Sequence, residues 1–411
     1  MRIDCQPERA IADLRALADL TGGPDGARRL CWSEEWVKAR GLVRERLAEL
    51  PVEVDVDEAG NVWARLAGAR PETVVIGSHV DSVPNGGWLD GALGVMGALE
   101  TLRTIAAAGT PPCTVTLVDW ADEEGARFGR SLFGSSAVCG TLDPAAVRDL
   151  RDAGGERLAD VLTRHGVDVE TASAAGSRLA DVRAYLELHI EQGPVLEAMG
   201  LPVGTVLGTF GVERHRVIFR GQAAHAGSTP MAQRRDSFLA AARFALAVRD
   251  LALPSGGVCT VGKADCEPGV VTAIPGVTTL LLDQRHLDAD ALAGLLASAR
   301  ALAEEAAAAE GCTVVFERIW QIEPIAFDPA LIATARAACA EITGSDHALP
   351  SGPLHDAAEM ARRVPTVMVF SSSTNGISHA REEDTPVGHL ELAIRVYART
   401  VGEAIARVAD G

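Results

Sequence analysis

The sequence has no Cys-x-x-Cys pair. Its eight cysteines stand at positions 5, 31, 113, 139, 259, 266, 312 and 339, and a chain of 411 residues can bury a core without disulfide staples. They are expected to remain reduced core residues, which leaves His and carboxylates as the ligands for any metal. Positive charge is also scarce: 38 Lys and Arg stand against 56 Asp and Glu, for a formal net charge of -18. A field of that sign repels phosphate backbones and anionic headgroups, so no nucleic-acid partner is expected. No apolar run approaches membrane-spanning length, and the start MRIDCQPERA lacks the basic beginning and apolar stretch of a signal peptide. A cytoplasmic protein without a membrane partner is expected. Fixed-period repeats, a G-x-x-x-x-G-K-S/T loop and a strand-borne G-x-G-x-x-G are missing as well. The serines of SSSTNG at 371–376 read better as loop than as nucleophiles.

What is present is an ordinary globular balance of 47% hydrophobic and 23% charged residues, in a length that accommodates two or three domains. Ser33 followed by Glu34 and Glu35 predicts a helix over 34–50, because a hydroxyl caps free N–H groups and early acids suit the dipole. Pro51 stops it. Residues 52–57 and 61–66 predict an antiparallel hairpin. TVVIGSHVD from Thr73 and TVTLVDWADEE from Thr114 flank a helical stretch over 91–108, the order of a βαβ unit with buried parallel strands. Over 185–191, Tyr185, Glu187, His189 and Glu191 alternate with Leu186, Leu188 and Ile190, so His189 faces away from the apolar side. Between about 209 and 321 the pattern changes to strand groups in GVERHRVIFRG and TTLLLDQRH and helices near 231–250 and 290–310. This stretch reads as a separate α/β insert. Beyond it come a buried strand over 366–372 and an amphipathic helix over 386–408.

His79, Asp81, Asp90, Glu123 and Glu124 cluster past strand C-terminal ends, where open α/β sheets place their binding crevice. With His189 in ELHIEQG and His379 in NGISHAREED, three imidazoles and several carboxylates suit borderline divalent ions such as zinc, manganese, cobalt or nickel. A dinuclear site fits, because one bridging carboxylate and one or two terminal ligands per ion leave room for water. Taken singly, each histidine has an ordinary explanation as a surface or hydrogen-bonded core residue; the joint pattern is the signal. Asp81 either ligates or accepts the second N–H of His79, and the orienting role is preferred. Glu123 and Glu124 can divide ligation and proton transfer between them, in an order the residues alone do not give.

Taken in order, HVDSVPNGGWLDGALG, DEEGARFGRSLFGS, LELHIEQGPVLE, GQAAHAGSTPM, IPG followed by DQRH, SGPLHDA and NGISHAREEDT resemble the hydantoinase/carbamoylase-type metal-dependent amidases. These include N-carbamoyl-L-amino acid hydrolases, beta-ureidopropionases and allantoate amidohydrolases, within the dinuclear aminoacylase and carboxypeptidase-like hydrolases. The match covers about residues 73–385. The resemblance implies two divalent ions per subunit on His79, Asp90, Glu124, His189 and His379, with Asp90 bridging and Glu123 as general base. It implies an α/β fold in which a catalytic domain with a mixed sheet flanked by helices, residues 1–208 plus 322–411, is interrupted by a smaller α/β sandwich for dimerisation at 209–321.

The same resemblance implies a homodimer in which His225 crosses the interface to polarise the scissile carbonyl; with Gly227 and Pro230 beside it, a turn residue is the plainer alternative. Gln192 is implied as a substrate-amide contact and Arg285 as the clamp for a substrate carboxylate, which its planar fork suits. Arg285 could instead pair with Asp283 or Asp288, and His355 with Asp356 either supports the site or packs a helix start. Two substrate-contacting positions depart from the family: Thr272 where it carries Asn, and Leu354 where it commonly carries Gly. The implied reaction is hydrolysis of a linear C–N bond in an N-carbamoyl amino acid or a related small anionic ureido or amide compound, by water activated at the ions. An aminoacylase or peptidase with the same metal pair is the alternative, and a catalytically silent ligand-binding relative the distant one.

Overall fold

The β-branched runs that open the two central motifs lie side by side. Thr73–His79 pairs in parallel with Thr114–Trp120, from Thr73 opposite Thr114 to His79 opposite Trp120, and both are buried at every position. Parallel strands covered on both faces read in this way, as unbroken apolar runs. Val182–Ile190 lies parallel on the other side of Thr73–His79, and Thr366–Ser371 lies parallel beyond it. Four strands therefore end on one side of the sheet. The expected hairpin forms between Glu53–Val56 and Val62–Leu66 and joins the sheet antiparallel to Thr114–Trp120, while Val203–Thr209 runs antiparallel to Thr366–Ser371. The result is a mixed, nine-stranded sheet.

The structure, a computed structural model, describes residues 1–410 and divides the chain into two units. Met1–Leu207 joins the chain from Phe327 on, and Gly208–Ala326 stands as the second unit. The second unit ends five residues later than the insert expected at 209–321, because Ile325 and Ala326 pair with Thr209 and Gly208.

In the larger unit, Glu34–Leu47 begins at Ser33, whose hydroxyl accepts the Trp36 N–H. Ala92–Ala108 is mostly buried, and Gly94 is what lets it seat: a Cβ there would lie 2.3 Å from the Leu188 carbonyl oxygen and 2.5 Å from Ser78 Cβ. Val387–Asp410 buries Leu390, Ile394, Tyr397, Val401 and Ile405, a stripe at helical period. The alternation over 185–191 does separate two faces, but both are covered. Tyr185, Glu187 and His189 are as buried as Leu186 and Leu188. The polar face is satisfied internally: Glu187 accepts from Ser78 Oγ at 2.8 Å and from the Ala357 N–H at 3.0 Å, with Tyr185 Oη at 3.1 Å.

Gly208–Ala326 holds a four-stranded antiparallel sheet in the order Val258–Glu267, Val277–His286, Gly211–Arg220, Thr313–Ile322. Val217, Phe219, Leu280 and Leu282 from the sheet pack with Ala240, Phe244, Ala299 and Ala303 from the helices Ser237–Ala252 and Ala289–Ala309. Two of the four strands go beyond what the sequence pattern predicts. Val258–Glu267 and Thr313–Ile322 are exposed along most of their length and so lack a dense apolar signal. The helix expected near 231–250 starts only at Ser237, where Asp236 accepts from the Phe238 and Leu239 N–H groups. Met231–Gln233 is a separate 3-10 turn. The eight cysteines are free, five of them buried. Among the described residues no helix is long and apolar enough to cross a membrane.

Candidate functional site

Strand ends deliver most of the candidate ligands. His79 is the last residue of Thr73–His79, Glu123 and Glu124 follow Thr114–Trp120 by a short turn, and His189 is next to last in Val182–Ile190. Asp90 precedes the helix Ala92–Ala108, and His379 comes from the loop after Thr366–Ser371. Aiming these groups requires left-handed backbone at Asp122, Gln192 and His379, with φ of 58°, 56° and 55°. Non-glycine residues hold such angles only where surrounding contacts impose them.

Asp90 is the centre. Its Oδ1 lies 3.2 Å from His189 Nε2 and 3.8 Å from His79 Nε2, whereas its Oδ2 lies 3.1 Å from His379 Nε2. His379 Nε2 is 3.4 Å from Glu124 Oε2, and His79 Nε2 is 3.6 Å from Glu123 Oε2. Two donor groups result, His79 with Asp90 and His189, and Asp90 with Glu124 and His379, and Asp90 belongs to both. The other ring nitrogens are occupied: His79 Nδ1 is 3.1 Å from the Asp81 carbonyl oxygen, and His189 Nδ1 is 2.9 Å from that of Ile190. Each ring is thereby held with Nε2 toward Asp90. His79 Nε2 is buried and has no hydrogen-bond partner, a costly state for a polar atom and a fit for a bound cation.

The electrostatics point the same way. Burial, then the charge of Asp90, pushes the Glu124 carboxyl up to about 8, and burial drives Glu123 well above the usual range. His379 rises to about 9, first through its hydrogen bond to Asp90. Carboxyls that resist ionisation beside imidazoles that hold protons mark a pocket with an excess of negative donors, and imidazole with carboxylate is the donor set of borderline divalent ions.

Asp81 does more than face one histidine. Besides lying 3.4 Å from His79 Nδ1, its carboxylate accepts the N–H groups of Glu123 and Glu124 at 3.4 and 3.2 Å, tying the glutamate turn to the neighbouring strand. Gln192 donates through Nε2 to Asp90 Oδ2 at 3.0 Å and to Ser378 Oγ at 3.1 Å. The His355 ring lies 4.3 Å from that of His189, and half-buried Leu354 immediately precedes it.

The remaining candidates lie in the other unit, in two separate places. Ala224–His225 pairs with Ala273–Ile274, and the Ala226 N–H donates to the Thr272 carbonyl oxygen at 2.9 Å, so His225 and Thr272 are neighbours. His225 is exposed, and its Nδ1 accepts the N–H groups of Gly227 and Ser228 at 3.0 and 3.2 Å. Arg285 stands near the far end of Val277–His286, with Nε 2.8 Å from Asp283 Oδ1. Eight residue-to-residue steps of strand separate it from Val277, roughly 27 Å at 3.3–3.4 Å per step. Sequence reasoning gives no part to Arg29, fully buried with Nε on the Val80 carbonyl oxygen at 2.7 Å, or to Glu383. Only the presence of Glu383 within the NGISHAREEDT motif hints at it.

Comparisons with known proteins give the family. Residues 75–403 match peptidase family M20/M25/M40. The chain is 36% identical, over 97% of its length and 100% of the relative's, to the N-carbamoyl-L-amino acid amidohydrolase of Geobacillus stearothermophilus. It is also 36% identical to the allantoate amidohydrolase of Escherichia coli (strain K12), over 91% of this chain and 92% of that one. The solved structure of a hydantoinase/carbamoylase family amidase from Burkholderia multivorans superposes with a TM-score of 0.87 at 34% identity, covering 97% of this chain and 98% of its own. An aminopeptidase from Bacillus cereus, at 17% identity and a TM-score of 0.62 over 97% of this chain and 99% of its own, shares the fold alone. The chain therefore belongs to the metal-dependent peptidase family M20/M25/M40 and, within it, to the hydantoinase/carbamoylase-type amidases.

Proposed function

We propose that this protein is an amidohydrolase that cleaves the linear C–N bond of an N-carbamoyl amino acid or a related small anionic ureido acid, using two divalent ions per subunit. The observation that carries this reading is the division of Asp90: one carboxylate oxygen faces His79 and His189, the other His379, with Glu123 close by and in neither donor group. His79 and His189 would hold one ion, Glu124 and His379 the other, and Asp90 both. Zinc, manganese, cobalt or nickel bound there supplies Lewis-acid polarisation of a carbonyl and lowers the pKa of water. Glu123 takes the proton of the attacking water and returns it to the leaving nitrogen. Asp81 keeps His79 in one tautomer, and Gln192 orients the substrate amide. A carbamoyl substrate gives the free amino acid, ammonia and carbon dioxide.

His225 donates to the developing oxyanion and Arg285 clamps the substrate carboxylate. Because His225 belongs to a two-stranded ribbon whose second strand, Ala273–Ile274, shortly precedes Val277–His286, whereas Arg285 stands near the far end of that strand, a small substrate that touches both draws them from different copies of the chain, and Thr272 travels with His225. A homodimer is supported by the second unit itself. Val258–Glu267 is an open edge of its sheet, and Leu246 and Leu253 are 72% and 73% exposed, features that a second copy covers. Thr272 and Leu354 then tune which ureido acid is accepted. A cytoplasmic location fits the eight free cysteines.

The test is a substrate panel: N-carbamoyl amino acids, allantoate, N-acetyl amino acids and dipeptides, each with added manganese, cobalt or zinc. Ammonia release from a ureido acid is the expected result. Turnover of dipeptides or N-acetyl compounds alone overturns the assignment, and ligand binding without any turnover points to the silent relative.

A further inference from the structure

Two loops distant in sequence meet at Asp90, and one carboxylate joins them. Glu383 is 2% exposed. Its Oε1 accepts the N–H groups of both Leu89 and Asp90 at 3.0 Å, and its Oε2 accepts the hydroxyl of Ser378 at 2.7 Å. Leu89 and Asp90 are themselves buried, so without this acceptor two backbone donors lose their partner in a place water does not freely reach. A charged acceptor makes the stronger bond. Alongside, Trp88 Nε1 donates to Asp384 Oδ1 at 3.3 Å, closing the same two loops a second time.

We propose that Glu383 is a positioning residue that sets the bridging carboxylate of Asp90 and registers it with the loop that carries His379. The role rests on the dinuclear reading above and extends it to a residue outside both donor groups. It works in two ways. Bonding the Asp90 N–H pins the backbone from which the bridging carboxylate extends. Ser378 supplies the second link, because its hydroxyl has one proton and lies 2.7 Å from Glu383 but 3.4 Å from Asp90 Oδ2. That proton goes to Glu383, which anchors the residue next to His379 and leaves Asp90 Oδ2 its lone pairs on that side. The seat is close-fitting: a Cβ on Gly87 would lie 2.0 Å from Glu383 Oε1 and 2.3 Å from Glu383 Cβ. Even one methyl group there displaces the clamp without touching a donor residue.

The experiment is a calorimetric titration of metal-free protein with manganese, repeated with cobalt while recording the visible absorption that reports coordination geometry. Glu383→Ala and Gly87→Ala are compared with wild type, and Glu383→Gln keeps an acceptor oxygen for the two N–H groups. Circular dichroism and thermal melting establish that each variant is folded. The expected result is a wild-type first equivalent with a second bound at least tenfold more weakly in both alanine variants, an altered cobalt spectrum, and partial recovery in Glu383→Gln. Two equivalents bound with wild-type affinity and spectrum in folded Gly87→Ala and Glu383→Gln overturn the proposal, even if Glu383→Ala fails to fold. If wild type takes up a single equivalent, the dinuclear reading fails, yet the clamp is still decided by whether that equivalent weakens tenfold in the variants or stays unchanged.

Discussion

Glu123 and Glu124 are adjacent in the chain, yet their surroundings separate them. Glu124 Oε2 faces His379, whereas Glu123 faces His79 and belongs to neither donor group. Replacing Glu123 by Gln keeps the size and removes the proposed base, so kcat should fall by about 10²–10⁴-fold, the usual contribution of a positioned proton acceptor. Metal content per chain, measured by atomic absorption, should stay at the wild-type level. Loss of metal together with activity would make Glu123 a ligand instead. At this scale the motifs are readable because strand-end His and carboxylates declare their chemistry by type. Glu383 and Arg29 are not readable. Two of the partners of Glu383 lie about three hundred positions away, at Leu89 and Asp90, and its place in the NGISHAREEDT motif does not say what it bonds.

Among the elements, the helix Ala92–Ala108 meets the sheet through Gly94, and the obstacles to a larger residue are a backbone carbonyl and Ser78 Cβ, neither of which swings away. Gly94→Ala should therefore destabilise by about 1–3 kcal/mol, the range for overpacking. Gly41 makes the opposite case: it lies inside Glu34–Leu47, is exposed, and a methyl group added there would have nothing within 4 Å. Gly41→Ala should stabilise by about 0.5–1 kcal/mol through chain entropy. Thermal melts of the two variants check both signs.

The insert carries a pH dependence of its own. His215 is fully buried, and burial, followed by the charges of Arg300 and Arg318, lowers its pKa from 6.5 to about 4. Glu213 lies 3.8 Å away but is engaged by Arg318. Between those two values the proton binds the unfolded chain and not the folded one, so stability is unaffected above 6.5 and falls as the pH drops toward 4. The full difference corresponds to about 3 kcal/mol. Denaturant melts between pH 7 and 4 should show this slope in wild type and a shallower one in His215→Leu; equal slopes would remove His215 as the cause. Element legibility follows burial. Gly211–Arg220 buries most of its residues and Val277–His286 alternates buried with half-buried ones, so both can be read from the sequence, whereas the two flanking strands expose most positions and cannot.

At the scale of the whole molecule, the proposed dimer makes each site composite. Mixing Glu123→Gln chains with His225→Ala chains produces mixed dimers with one site that has both an intact Glu123 and an intact His225. Random exchange should then restore about a quarter of wild-type turnover, since half the dimers are mixed and each has one good site of two. No recovery after demonstrated subunit exchange means that His225 is not supplied by the partner.

The amino-acid sequence by itself determined the class of the protein. Buried parallel strands follow from β-branched runs, the metal-binding chemistry from imidazoles and carboxylates at strand ends, and the absence of a phosphate loop from the lack of its glycines; each is a property of a short stretch of chain. Tertiary structure alone decided how the donors divide around Asp90, that Glu383 accepts the Asp90 N–H, and that His225 sits beside Thr272 while Arg285 stands near the far end of a ten-residue strand. Those facts depend on distances between residues remote in sequence, which are set by strand register and helix seating and leave no local pattern to read.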